Sequence, residues 1–425
     1  MPGNDGIAVD GFTGALMAVE SFDGVVTVLH GPGGCRNYHT FLSSHCYPRK
    51  EPDNYRKYSQ RYFFWNARMP CTYMDENDYI NGAEEKVEEI LQAVKDVDGG
   101  VAVFIKSPGA ALIGDNINDV IARMGYSGSA TAIEESLISQ PFSASYDRTV
   151  ASILEWRRPK KRAAKKGTVN ILGLPITTRS WADSLAELRK LLELCGIEVA
   201  ASPGAGCSLE ALDASVASEA NVMVCPEYGT RTAELYEREY GIPCIVSEAG
   251  APVGFDATEA WIVNIASRLG KDPSAALSYV ASQRARAFGI IDKLIYNQRT
   301  KCCRFAVSAD SSILLPLAKW LYGYLCMMPV YLKVSPGEDV ACAKALSVFL
   351  EETGLGGTLT KGLAESEPYF VFADGHLAET MRLTGVCKAG VDLSAPDLSN
   401  VDFIPKPVMG ALGAMYILDE IFGSL

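Results

Sequence analysis

The sequence predicts an α/β fold of three Rossmann-like domains with mainly parallel sheets. Short apolar runs alternate with helical patterns of roughly 10 to 15 residues, and that alternation restarts along the chain. The 425 residues also suit two to four domains at roughly 100 to 200 residues each.

The first cycle falls in an N-terminal domain, residues 1–156. VVTVLHG (25–31) reads as a buried strand, AEEKVEEILQAVKDV (83–97) as a helix, VAVFIKS (101–107) as a strand and GDNINDVIARMG (114–125) as a helix. RRPKKRAAKK (157–166) is a basic linker, read either as a solvated connection or as a docking patch for an acidic partner. The second domain, 167–299, opens on strand TVNILGLP and helix SWADSLAELRKLLELCG, with Leu185, Leu188, Leu192 and Cys195 on one face. Strand IEVAAS, helix LEALDASVASEA, strand NVMVC, helix TRTAELYEREYG and strand IPCIVSE follow, then a mostly helical passage over about 258–299. The third domain, 300–425, repeats the pattern: RFAVSAD, a helix from Ser312, PVYLKVS, DVACAKALSVFLEETG, PYFVFADG and HLAETMRLTG.

Composition narrows the function. Hydrophobic residues are 48% and the formal charge is −12, spread along the chain apart from the basic run, so general affinity for nucleic acid is not expected. The start, MPGNDGIAVDG, has neither a basic nor an apolar leader region, and a cytoplasmic protein is expected. ILLPLAKWLYGYLCMMPVYL (313–332) has the length of a membrane span, but Pro316, Lys319 and Pro329 interrupt it, so a buried helix followed by a strand is the reading. Twelve cysteines and no CxxC exclude a zinc ribbon or a local ferredoxin-type site; metal ligands would come from distant segments or two chains. Four histidines and no HExxH make a zinc hydrolase improbable.

The chemistry concentrates in HGPGGC, His30 to Cys35, directly after a buried strand. Gly31, Gly33 and Gly34 let backbone N–H groups approach an anion or cluster sulfides, and Cys35 presents a thiolate from the turn. Without GK[ST] it is not a nucleotide P-loop. His39 and His45, with Arg36 and Tyr38, lie just past it, placed to tune a bound group by hydrogen bonds. His376 in FADGHLAET follows a strand at the expected mouth of the third domain, either as a proton donor in a pocket or as a helix-start residue without chemistry.

HGPGGC, MPCTYMDENDYINGAEEKVEEI (69–90), IKSPGAALIGDNINDV (105–120), NVMVCPEYGTRTAELYEREYGIPCI (221–245) and PKPVMGALGAMYILDEI (405–421) together resemble, in order, the landmarks of the nitrogenase component 1 superfamily. That superfamily includes nitrogenase molybdenum-iron subunits, cofactor-assembly scaffolds, dark protochlorophyllide and chlorophyllide reductases, and the nickel-tetrapyrrole reductive cyclase. The resemblance implies a nitrogenase component 1-like fold and an oxidoreductase subunit binding an iron-sulfur cluster, with [4Fe–4S] expected. It further implies electrons from an ATP-hydrolysing iron-sulfur reductase, in a homodimer or a heterodimer with a related subunit.

Residue by residue, the family's first cysteine is Asp10 here, in DGFTGA, either a carboxylate ligand as in the protochlorophyllide reductase branch or a lost site. The third family cysteine is Ser107, so the eight-iron cluster of true nitrogenase is not supported. Cys71 offers a replacement: Cys35 and Cys71 from two chains would supply four ligands, with Cys46 as an alternative to Cys71 in what reads as an exposed loop. Cys225, at the end of strand NVMVC, matches the cysteine that anchors a larger cofactor in nitrogenase, so a second metallocluster or a tetrapyrrole is its candidate ligand; the completing histidine would fall near Asn400, where none stands. A non-catalytic scaffold for metallocluster assembly and a metal-free α/β binding module are the competing functions.

Overall fold

The computed structural model describes residues 10–50, 52–97, 100–135, 137, 139–294, 300–337, 340–396 and 403–425. Two compact units divide the chain within the basic run, between Lys160 and Lys161, with Gly206–Asp213 returning to the N-terminal unit.

The N-terminal unit is built on a three-stranded parallel sheet. Its main elements are α1 (Gly11–Glu20), β1 (Val25–His30), α2 (Gly33–Cys46), α3 (Glu84–Val97), β2 (Val101–Lys106), α4 (Ile117–Arg123), β3 (Ala130–Ile133) and α5 (Phe142–Arg157). The strand order is β1-β2-β3, with Val25 paired to Val101 and His30 to Lys106. Val28 and Phe104 from the sheet pack with Val87, Ile90 and Leu91 of α3 and Val120 and Ile121 of α4. Such burial supplies the main driving force, about 25 cal/mol per Å² of apolar surface. Every residue of α1 is buried, and the helix packs along α5.

That burial explains why apolar alternation does not announce α1: a helix covered on all sides has no polar stripe to mark its period. Helix α2 is missed for the opposite reason, because GGCRNYHTFLSSHC opens on two glycines and is mostly polar. The basic run is also shorter as a linker than its composition suggests. Arg157 ends α5 and is paired with Asp213, while Lys165 and Lys166 already belong to the next strand.

The C-terminal unit contains two four-stranded sheets, both parallel. The first includes β4 (Lys165–Leu172), α6 (Trp181–Leu194), β5 (Glu198–Ala201), β6 (Ser218–Met223), α7 (Thr230–Tyr240) and β7 (Cys244–Ile245) in strand order β5-β4-β6-β7. Helices α8 (Gly254–Leu269) and α9 (Ser274–Leu294) follow. The second sheet includes β8 (Arg304–Ala309), α10 (Ser311–Leu325), β9 (Met328–Val334), α11 (Val340–Glu352), β10 (Phe370–Asp374), α12 (Gly375–Leu383) and β11 (Ala389–Ser394), in order β9-β8-β10-β11. The closing helix α13 (Gly410–Gly423) packs on α6, α8 and α9.

Two differences from the sequence reading have local causes. The helix expected over 209–220 stops at Ser215, because Ser218–Met223 is a central strand with ladder partners on both sides, which outweighs the helical preference of Ser-Glu-Ala. Pro316 sits inside α10 rather than ending it. A proline cannot donate to the carbonyl four residues back, and that freed carbonyl, of Ser312, accepts instead from Ala251 N–H at 2.8 Å. The apolar stretch 313–332 is thus divided between α10 and β9. Among the described residues no helix is long and apolar enough to cross a membrane.

The two sheets of this unit meet through buried carboxyl groups. Glu227, just after β6, accepts from Ser311 Oγ (2.8 Å), Ser312 N–H (3.0 Å) and Ser312 Oγ (2.7 Å), capping α10 from outside that helix. Asp310 accepts from Tyr228 O–H at 3.0 Å, and burial, with Glu227 beside it, pushes its carboxyl up to about 7. An acid whose folded pKa exceeds its unfolded value of 3.8 stabilises the fold at low pH and loses that contribution as pH rises through about 4 to about 7. Asp310→Asn keeps an acceptor for Tyr228 and removes the titration. Its melting temperature relative to wild type should therefore climb between about pH 4 and about pH 7 in thermal unfolding and level off above that. A difference that stays constant with pH would remove Asp310 from this role.

Candidate functional site

The carboxyl ends of β1 and β2 gather the sequence landmarks. Segment 70–74 runs beside β1: Leu29 N–H donates to Pro70 C=O (2.9 Å), Thr72 N–H to Leu29 C=O (3.1 Å), and Met74 N–H to Gly31 C=O (3.0 Å). Cys71 is thereby bridged to Leu29, fully buried, with its thiol donating to Gly31 C=O at 3.3 Å and its sulfur accepting Tyr73 N–H at 3.4 Å. Asp115 of the third landmark accepts from Ala83 N–H at 2.9 Å, and its carbonyl accepts from buried Lys106. Hydrogen bonds therefore tie 105–120 to 69–90.

The glycines act by close approach. A β-carbon on Gly31 would collide with Ser107 Oγ, and one on Gly33 would stand 2.6 Å from the Tyr73 ring, whereas Gly34 faces open space. None of the three has a positive φ, so a left-handed turn is not what this motif requires. Ser107 itself is buried against the turn.

Pro32 is the N-cap of α2, which puts Cys35 in the helix's first turn, half-buried. Burial and then the Asp10 carboxylate raise its thiol; burial pushes Cys71 up to about 11, with Cys35 adding to the rise while Arg36 and Lys86 oppose it. The three groups thus share one electrostatic neighbourhood. Asp10 is exposed and is the N-cap of α1: its Oδ1 accepts from Thr13 N–H (2.9 Å) and lies 2.8 Å from Thr13 Oγ1. The Thr13 hydroxyl has one proton and a second acceptor, His39 Nε2, at 3.0 Å. Burial lowers the His39 pKa, and Nδ1 donates to Cys35 C=O at 2.6 Å, so the neutral ring can accept that proton and leave Asp10 held by the backbone.

Arg36 is the residue whose part sequence reasoning misjudged. It is 4% exposed and donates to Met69, Phe63, Asn66 and Arg68 carbonyls and to Tyr73 O–H, so its donors organise 63–73 rather than tune a bound group. Among the described residues no carboxylate pairs with it, and its charge lies beside Cys71. An arginine after a glycine-rich turn has no periodicity to signal this, although its place next to Cys35 is a hint.

The other candidates have surroundings of their own, and His376 and Cys225 belong to the C-terminal unit. Cys46 ends α2, not an exposed loop, and eleven residues of helix set it about 16 Å from Cys35. His45 is on that same last turn, bonded to Phe41 C=O at 3.1 Å. His376 is exposed on the first turn of α12, with its backbone N–H on Pro396 C=O at 2.8 Å. Cys225 is fully buried, its thiol bonded to Ser312 and raised well above the ordinary value by burial and Glu227. Asn400 lies outside the described residues. Among the described residues no three His, Cys, Asp or Glu groups converge as a complete single-chain metal site.

Fold and site define an α/β protein of parallel sheets that gathers two thiols and a carboxylate at the carboxyl edge of its first sheet. The family pattern of the nitrogenase component 1 type oxidoreductases matches residues 11–425, and the chain belongs to that family. It is 24% identical over 278 residues to a light-independent protochlorophyllide reductase subunit of Synechococcus sp. (strain CC9605), covering 62% of this chain and 49% of that protein. To the corresponding reductase subunit of Methylobacterium sp. (strain 4-46) it is 33% identical over 109 residues, 26% of this chain and 21% of that one. The chain thus spans about half the length, or less, of these curated relatives. Its fold is similar to that of a solved nitrogenase Cp1 at pH 6.5, with TM-score 0.75 and 16% identity over 100% of this chain and 94% of that one.

Proposed function

We propose that this chain is a component 1-like oxidoreductase subunit that binds a [4Fe–4S] cluster through Cys35 and Cys71, with Asp10 as a further donor, completed by a second chain. The observation that carries the reading is the buried, carboxylate-free Arg36 beside two thiols. The guanidinium is hydrogen-bonded to four carbonyls and a hydroxyl but has no anionic partner among the described residues, and an anionic thiolate-bound group would supply that counter-charge. Two thiols, one buried and one half-exposed at a helix N-terminus, also fit a donor set shared across a surface. Exposed Tyr38, Phe41, Phe64, Trp65, Ile80 and Leu112 on the same unit are apolar area for a second chain to cover.

When bound, the cluster supplies one-electron transfer. The residues present do the rest: Arg36 fixes the 63–73 segment, Gly31 and Gly33 let Ser107 and Tyr73 close against the turn, and both thiols give up protons on ligation. Electrons would come from an ATP-hydrolysing iron-sulfur reductase, since this sequence has no P-loop, and would pass to a substrate or cofactor. Cys225 stays outside the reading because its thiol already belongs to the Glu227–Ser312 cluster.

Asp10 separates cap from ligand. Asp10→Ala should cost about 1 kcal/mol through the lost cap whatever its metal role, whereas Asp10→Asn keeps an Oδ1 for Thr13 N–H. If the carboxylate ligates, Asp10→Asn loses iron or changes the reduced cluster's paramagnetic resonance with an unchanged melting temperature, and Asp10→Cys retains iron at a lower potential. Unaltered iron and spectra in both variants would leave Asp10 a cap alone.

A further inference from the structure

The second sheet of the C-terminal unit has a cysteine pair at its amino edge, away from the strand ends where open α/β sheets usually bind ligands. Among the twelve cysteines, Cys302 and Cys326 are the two that are exposed. Cys302 lies in the turn before β8, and Cys326 is the left-handed C-cap of α10. Cys302 N–H donates to Cys326 C=O at 3.0 Å, and Met328 N–H to Cys303 C=O at 2.9 Å opens the β8–β9 ladder. One backbone hydrogen bond puts the two Cα atoms about 5 to 6.5 Å apart, inside the range that a disulfide spans.

The backbone is unusual at both positions. Cys302 has φ 61° and Cys326 φ 54°, a region where glycine or asparagine is the ordinary choice. A cavity of about 560 Å³ opens on Cys302, lined also by Lys301, Cys303, Arg304 and Lys388, with Glu367 paired to Arg304 at 3.1 Å. Three cations against one carboxylate draw in an anionic small molecule. Cys303 also lines the cavity, but it is half-buried, and burial with Cys302 alongside raises its thiol, which makes it the poorer nucleophile.

We propose that Cys302 and Cys326 are a modification site, a thiol pair that an anionic low-molecular-weight disulfide converts into an intrachain disulfide. The Cys302 thiolate attacks one sulfur of the small disulfide, forms a mixed disulfide and expels one small thiol. The Cys326 thiolate then attacks the Cys302 sulfur and expels the second. Two protein thiols lose two electrons and two protons, and the small disulfide gains both.

The test uses the full chain, purified anaerobically and treated with oxidised glutathione, then alkylated, digested and mapped by mass spectrometry. A Cys302–Cys326 linked peptide should form before other cysteines are modified, and Cys326→Ser should accumulate the glutathione adduct on Cys302 because nothing resolves it. Raised salt should slow the reaction by screening the cations. A linkage of Cys302 to Cys303 or Cys387, an adduct that persists on Cys302 in the wild type, or slow modification of all accessible cysteines at one rate would overturn the assignment. A Cys302→Ser variant that still forms the linked species elsewhere at the same rate would do so as well.

Discussion

Cys35→Ala should yield a folded chain without iron. The Cys35 side chain is half-buried, and the bond made by this residue to His39 comes from its carbonyl, which alanine retains. Alanine also favours the helix, so the expected stability change is below about 1 kcal/mol. Iron ligation has no such reserve, because alanine has no donor atom. Iron and sulfide in anaerobically purified protein should fall to background with an unchanged far-ultraviolet circular dichroism spectrum. Wild-type iron content in this variant would place the cluster elsewhere. Cys71→Ala should lose iron too but is the less clean test, since the residue is fully buried and its sulfur accepts Tyr73 N–H.

Arg36→Met should do the converse and damage the site through its scaffold. Methionine fills much of the volume but leaves carbonyls of Phe63, Asn66, Arg68 and Met69 without their shared donor. Each buried acceptor left unsatisfied costs about 1 to 3 kcal/mol, so the summed loss should reach about 3 to 5 kcal/mol even with partial hydration. Phe64, Trp65, Met69 and Tyr73 already hold positive φ values, a strained backbone that the Arg36 donors help to hold. Faster amide exchange over 59–73 and a lowered melting temperature are expected. Arg36→Lys should rescue little, because an ammonium cannot fan out to four carbonyls and a hydroxyl. A variant with wild-type exchange in that segment would refute the scaffolding role.

Legibility in the sequence followed the kind of signal. Amphipathic helices such as α3 and α6 and the continuous apolar strands β1, β2 and β8 carry their own period, and their limits agree with the pattern to within a few residues. Helix α1 is buried on all sides, α2 is polar and begins with glycines, and neither has a period to read. The candidate site shows the same division. HGPGGC stands out by its residues and PCTYMDENDYINGA by its resemblance to the family, and the structure brings Asp10, Cys35 and Cys71 into one neighbourhood. Long-range hydrogen bonds stay invisible in one sequence, and so Arg36 read as a tuning group when it holds the 63–73 segment, and Cys46 read as loop when it ends a helix.

The most direct test of the shared-cluster reading is to measure iron, sulfide and molar mass together on one anaerobic sample, by light scattering with elemental analysis and low-temperature paramagnetic resonance after reduction. The expected result is a protein of at least two chains with about four irons for each pair and a resonance of a reduced [4Fe–4S] centre. A monomer carrying its full complement of iron, or a dimer that holds none after reconstitution with iron and sulfide, would contradict it.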